Sequence, residues 1–101
     1  MTEIAKLHFA LKLIPPRPTF AQDMTDAERS VMQQHVIYWK GLMAGGKVVV
    51  YGPISDPKGT YGFGIVEAAD EAEVKALTGN DPASAINRYE IYPMRAMVRP
   101  G

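Results

Sequence analysis

A chain of 101 residues has room for one hydrophobic core and not for two, so residues 1–101 are expected to form one domain. With 47% hydrophobic and 22% charged residues it has the composition of a folded globular protein, and its eleven acidic and eleven basic side chains cancel, removing the broad positive field that nucleic-acid binding needs. The absence of cysteine excludes disulfides, thiolate nucleophiles and cysteine-ligated metals.

The opening stretch MTEIAKLHFALKLIPPRP is partly apolar, but its alternation, Glu3 at its head and the lack of a small-residue cleavage site read against a secretory signal. No stretch approaches the roughly 20 apolar residues of a membrane span. A cytoplasmic protein with neither membrane nor nucleic-acid partners is expected.

Residues 6–14, KLHFALKLI, predict a strand, with Leu7, Phe9, Leu11 and Leu13 on one side and His8, Ala10, Lys12 and Ile14 on the other. Pro15, Pro16 and Pro18 end it in a stiff loop, since proline has no N–H to give a ladder; Arg17 in that loop is a candidate contact for an anionic substrate. Thr25 and Glu28 have capping-box spacing, and from there to Ala44 a helix is predicted, stopped by Gly45-Gly46 in a left-handed turn. Val31, His35, Tyr38 and Leu42 form one stripe on it, and Met32, Val36, Trp39 and Met43 its neighbour, giving a broad apolar face that should lie on a sheet.

Residues 47–54, KVVVYGPI, predict a second strand, whose three valines imply burial on both sides. Asp56, Pro57 and Gly59 supply turn chemistry, and TYGFGIVEA resumes the alternation, with Tyr61, Phe63 and Ile65 opposite Gly62, Gly64 and Val66. Two glycines on one face leave room for a close approach. Asp70 and Glu73 open a second helix, closed by Gly79, and Asp81-Pro82 caps a very short third one that runs to about Ile86. Residues 88–98, RYEIYPMRAMV, predict a last strand with Tyr89, Ile91 and Pro93 on one side, and Pro93 marks it as an edge or a bulge.

The order strand, helix, strand, strand, helix, strand is that of an α+β ferredoxin-like βαββαβ fold, a four-stranded antiparallel sheet with helices on one face. Apolar residues on both sides of several strands would leave an exposed patch of several hundred square ångströms on the open face, the scale of an interface. A homodimer formed through the sheet faces is the expected partner arrangement.

His35, ten residues, Gly46, then KVVVYGP ending in Gly52-Pro53, and later Asp81-Pro82 make a pattern that resembles the YciI-like (YCII-related) family over most of the chain. The resemblance implies a dimeric α+β barrel with a site built around His35 and Asp81. Many members carry an arginine where this chain has Met32, and an aromatic residue where it has Ala83. The connection PPRPTFAQDMT is longer than in the shortest members and is placed to roof the site, so the substrate preference is expected to differ.

His35 has two readings, a packing residue on an apolar stripe or a general acid–base whose tautomer a nearby carboxylate holds. Asp81 likewise reads as an N-cap or as that carboxylate, and one group has enough acceptor directions for both. His8 reads as structural. No His-x-x-x-His spacing supports a metal, Ser30, Ser55 and Ser84 lack a Gly-x-Ser-x-Gly elbow, and Gly62-Phe63-Gly64 opens no helix that would cradle a phosphate. Tyr38, Trp39, Tyr51, Tyr61 and Tyr92 are candidates to line an apolar pocket for an aromatic or lactone-like compound.

The site set is therefore His35 and Asp81 for proton transfer, and Arg17, Tyr38, Tyr51, Gly52 and Pro53 for a small organic ligand, with no cofactor and no metal. The function it points to is a cofactor-independent lyase or isomerase. A non-catalytic ligand-binding protein and a structural or regulatory dimer stand beside that reading.

Overall fold

Residues 7–100 are described by a computed structural model. Glu3, and Lys6 at the head of the predicted first strand, lie outside them. Along the chain come β1 (Leu7–Ile14), α1 (Phe20–Asp23), α2 (Asp26–Ala44), β2 (Val48–Ile54), β3 (Tyr61–Ala68), α3 (Glu71–Gly79), a 3₁₀ turn (Pro82–Ala85) and β4 (Arg88–Met94). The sheet order is β2-β3-β1-β4 with every neighbouring pair antiparallel, the ferredoxin-like arrangement that strand alternation and helix caps predict. No helix among the described residues is long and apolar enough to cross a membrane.

Local chemistry explains the element ends. At the head of α2, Glu28 N–H donates to Thr25 Oγ1 at 3.1 Å while Thr25 N–H donates to Glu28 Oε1 at 2.9 Å, a complete capping box. At its tail Gly46 takes the left-handed conformation, φ +79°, and Lys47 N–H closes the turn onto Leu42 O. In α3 the cap is half of a capping box: Glu73 N–H bonds Asp70 Oδ1, but the Glu73 carboxylate reaches Ala69 N–H. Gly79 stays inside α3, and Asn80 ends it in a right-handed conformation.

Alternation in β1 buries Phe9, Leu11 and Leu13 under the helices. Phe9 and Leu11 pack with Trp39 from α2, Val48 and Val66 from the sheet, and Val74 and Leu77 from α3. Fully burying such side chains contributes about 1.5–3 kcal/mol each, which makes this cluster the main stabilising term.

Three further features depart from the sequence expectation. The register steps from Val48↔Val66 to Val50↔Ile65, so two residues of β2 oppose one of β3 in a bulge. Val48 is therefore buried while Val50 turns to the other face and is 52% exposed: the three valines are not buried on both sides, because β2 is an edge strand and helices cover one face only. Second, the loop after β1 contains a helical turn, α1, that its prolines masked. Phe20 anchors it in the core, and Arg17 ties it down by bonds to Asp23 Oδ1 at 2.8 Å and to both oxygens of Glu28 at 2.8 and 2.9 Å. The Arg17 guanidinium, followed by Thr25 N–H, holds the Glu28 carboxyl down at about 2. Third, β4 stops at Met94, which already pairs with His8 beside the first described residue of β1, and Arg95–Pro100 form no regular element. Pro93, paired with Phe9, sits on an edge strand as its missing N–H requires.

Gly64 is where α2 meets the sheet most closely. A Cβ there would lie 3.0 Å from Trp39 Cζ3 and Cη2 and 3.2 Å from Tyr51 Cβ. Gly64→Val is expected to lose about 2 kcal/mol or more through overpacking. Gly41→Ala, in a helix interior with nothing within 4 Å of the added carbon, is expected to gain about 0.5–1 kcal/mol. Urea unfolding of the two variants measures both changes, and equal effects would contradict the packing described.

Candidate active site

Two chain segments 46 residues apart meet at one carboxylate. The 3₁₀ turn begins at Asp81, with Pro82 in its first helical position, and Asp81 Oδ1 accepts the Ala83 N–H at 2.9 Å. His35 projects from the middle of α2, and its Nδ1 lies 2.8 Å from Asp81 Oδ2 and 3.0 Å from Oδ1. Trp39, one turn further along α2, donates Nε1–H to Oδ2 at 3.0 Å, and the Tyr89 hydroxyl of β4 donates to the same oxygen. Capping and histidine-holding are thus roles of one group.

Asp81 has no exposed side-chain surface, whereas His35 keeps 17%. Burial by itself pushes the Asp81 carboxyl up, but hydrogen bonds from His35, Tyr89 and the Ala83 N–H outweigh it and hold the group below its ordinary value. Tyr89 moves the other way, raised first by burial and then by the adjacent carboxylate, so its phenol keeps its proton. An ionised carboxylate only accepts, so His35 Nδ1 must carry hydrogen and the lone pair of the neutral ring lies on Nε2.

His35 borders a cavity of about 290 Å³ between α1, the first half of α2 and the helix-facing side of the sheet. Its floor is Leu11, Leu13, Gly62 and Gly64, where the two glycines withhold side chains, and Phe20, Ala21, Met24 and Met32 stand over it. Asn87 and Tyr89 add polar groups beside His35, and among the described residues no Asp, Glu, Lys or Arg lines the space. The arrangement can take a proton from a molecule in the cavity at Nε2 and hold the resulting imidazolium against Asp81.

Of the residues expected to contact a ligand, Tyr51, Gly52 and Pro53 line this cavity, as do Trp39 and Tyr61. Tyr38 does not: its hydroxyl turns toward α3 and donates to Leu77 O at 2.6 Å. Arg17 is outside it as well, committed to Asp23 and Glu28 on the outer side of α1. Tyr92 lies on the open face of the sheet, bonded to Glu90, and His8 lies on that face 3.8 Å from Glu67. Tyr89 and Asn87 escaped the sequence reading. The available signal for Tyr89 was its place beside Ile91 on one side of an alternating strand, since a tyrosine turned inward needs a partner for its hydroxyl. Among the described residues no three or more His, Cys, Asp or Glu side chains gather as metal ligands would.

The family model described as the YCII-related domain matches residues 9–98. No curated protein matches the chain. Among solved structures, the crystal structure of PA3566 from Pseudomonas aeruginosa is similar at a TM-score of 0.52 and 8% identity, over 96% of this chain and 100% of that one, a likeness of fold alone.

Asp81→Asn keeps an acceptor for Ala83 but turns an amide donor toward Tyr89 and Trp39 and removes the charge beside His35. A loss of about 2–4 kcal/mol at pH 7 is expected. Because the Asp81 pKa is lowered on folding, its ionisation contributes stability above the ordinary carboxylate range, and that contribution disappears as pH falls through the folded value. The gap between wild type and Asp81→Asn should therefore narrow below about pH 4. Urea unfolding at pH 7 and pH 3 checks it; an identical gap at both would leave Asp81 as a cap only.

Proposed function

The chain belongs to the YCII-related domain family, and from that premise we propose that it is a cofactor-independent enzyme of lyase or isomerase type, moving a proton on a small organic molecule held beside His35. One observation carries the reading: His35 Nδ1 is bonded to a buried carboxylate while the same ring borders a cavity large enough for a reactant. In the proposed cycle, Nε2 takes a proton from an acidic C–H or O–H of the bound molecule. Asp81, kept ionised by its donors, offsets the charge of the imidazolium that forms. The proton then returns to a second position of the reactant, giving an isomer, or to a departing group, giving elimination. Both outcomes conserve atoms and electrons without a redox partner.

Tyr51, Gly52 and Pro53 bound the molecule from β2, and Phe20 and Met24 shield it from water. The proposed assembly is a cytoplasmic homodimer with open sheet face against open sheet face. Its support is an apolar row crossing all four strands, Tyr92, Ala10, Ile65 and Val50 in register, with Tyr92 and Val50 about half exposed and Ile54 and Met94 exposed nearby.

His35→Gln keeps size and polarity but cannot carry the proton. Turnover of a substrate found by screening is expected to fall by about 10²–10⁴ with folding unchanged. Undiminished turnover would remove His35 from the chemistry, and a ligand bound equally well by both proteins but never turned over would make the protein a binder. For the assembly, sedimentation equilibrium at micromolar concentration should return twice the 11.1 kDa chain mass. Val50→Lys should return that mass once, and a wild-type monomer would remove the dimer.

A further inference from the structure

The charges around the cavity say what kind of molecule it admits. Among the described residues its lining holds no cationic side chain to meet a carboxylate or phosphate, and no anionic one to meet an amine. The cations near it in sequence are engaged elsewhere: Arg17 is bound on both edges of its guanidinium by Asp23 and Glu28, Arg88 pairs with Glu90 at 3.0 Å, and Lys12 lies over the Tyr61 ring, 4.4 Å from its centroid. Asp81, the nearest full negative charge, is shut away behind His35, Trp39 and Tyr89, which use its oxygens. An anion entering this space while the His35 ring is neutral would lose its water shell without gaining a counter-ion.

The remaining polar groups are few. The Tyr89 hydroxyl is committed to Asp81 and accepts from Trp39 Nε1–H at 3.1 Å, and the Asn87 amide donates to Ala83 O at 2.9 Å. His35 Nε2, the hydroxyls of Thr60, Tyr51 and Tyr61 and the Asn87 side-chain oxygen are the polar groups left to a ligand, and all are uncharged when the imidazole is neutral. In size, about 290 Å³ is roughly twice the ~150 Å³ cavity that holds benzene, which suits a bicyclic ring system.

We propose that the cavity selects an uncharged, mainly apolar molecule of up to two fused rings, with one hydrogen-bonding head presented to His35, and that it rejects carboxylates and phosphate esters of the same size. The proposal rests on the reading of this cavity as the reactant's site. Met32 sets the selectivity at the cavity wall: its sulfur lies 3.5 Å from Asn87 Nδ2, so a cation placed there would face the ligand's head.

A matched pair of probes tests it, 2-naphthamide and 2-naphthoate, titrated calorimetrically at pH 8.5. The amide is expected to bind at least tenfold more tightly than the carboxylate. Met32→Arg, a change at a half-buried position, is expected to reverse the order and tighten 2-naphthoate at least tenfold. Equal or tighter binding of 2-naphthoate by the wild type overturns the proposal, as does an absence of binding by 2-naphthamide up to its solubility limit. Failure of the catalytic reading looks different, because the amide would still be preferred while His35→Gln left the turnover of every neutral substrate unchanged.

Discussion

A carboxylate removed from water costs several kcal/mol unless hydrogen-bond donors replace the solvent. Asp81 meets that requirement from three directions at once: α2 brings His35 and Trp39, β4 brings Tyr89, and the 3₁₀ turn brings the backbone of Ala83. Elements far apart in the chain are thereby fixed to a common point. The same donors that hold the group ionised also orient the imidazole, so stability and the geometry of the site share one set of bonds.

The cavity beside this network exists because β3 presents Gly62 and Gly64 to the helices. Gly64 lets the Trp39 ring come down onto the sheet, which brings its Nε1 to Asp81, and Gly62 withholds a side chain next to Leu13. The bulge in β2 contributes as well: by shifting the alternation after Val48, it turns Tyr51 toward Trp39, with ring centroids 5.3 Å apart, and leaves Val50 on the opposite face. One added residue thus sets the cavity wall and the composition of the open sheet face together.

The charged groups around Arg17 and those around Asp81 differ in kind. Arg17, Asp23 and Glu28 lie toward solvent, where ion pairs contribute little to stability, and their value is in positioning α1 over the cavity. Their strong mutual pairing also keeps the arginine from serving a ligand. The Asp81 cluster is buried, so each of its bonds acts in a low-dielectric setting where loss of one partner strands the others.

The sequence by itself determined what depends on neighbours in the chain. Period-two alternation announced β1, β3 and β4, Thr25 with Glu28 announced the start of α2, and Asp56 with Gly59 announced the hairpin, because caps, turns and pleats are satisfied within a few residues. His35 and Asp81 were legible as candidates for the same reason, one by its place on a helical stripe and the other by its proline. Their meeting, the inward turn of Tyr89, the commitment of Tyr38 to Leu77 and of Arg17 to Glu28, and the face on which each valine of β2 falls were decided only by the tertiary structure. Those outcomes follow from strand register and helix placement, which are set by the packing of the whole core and leave no mark at any single position.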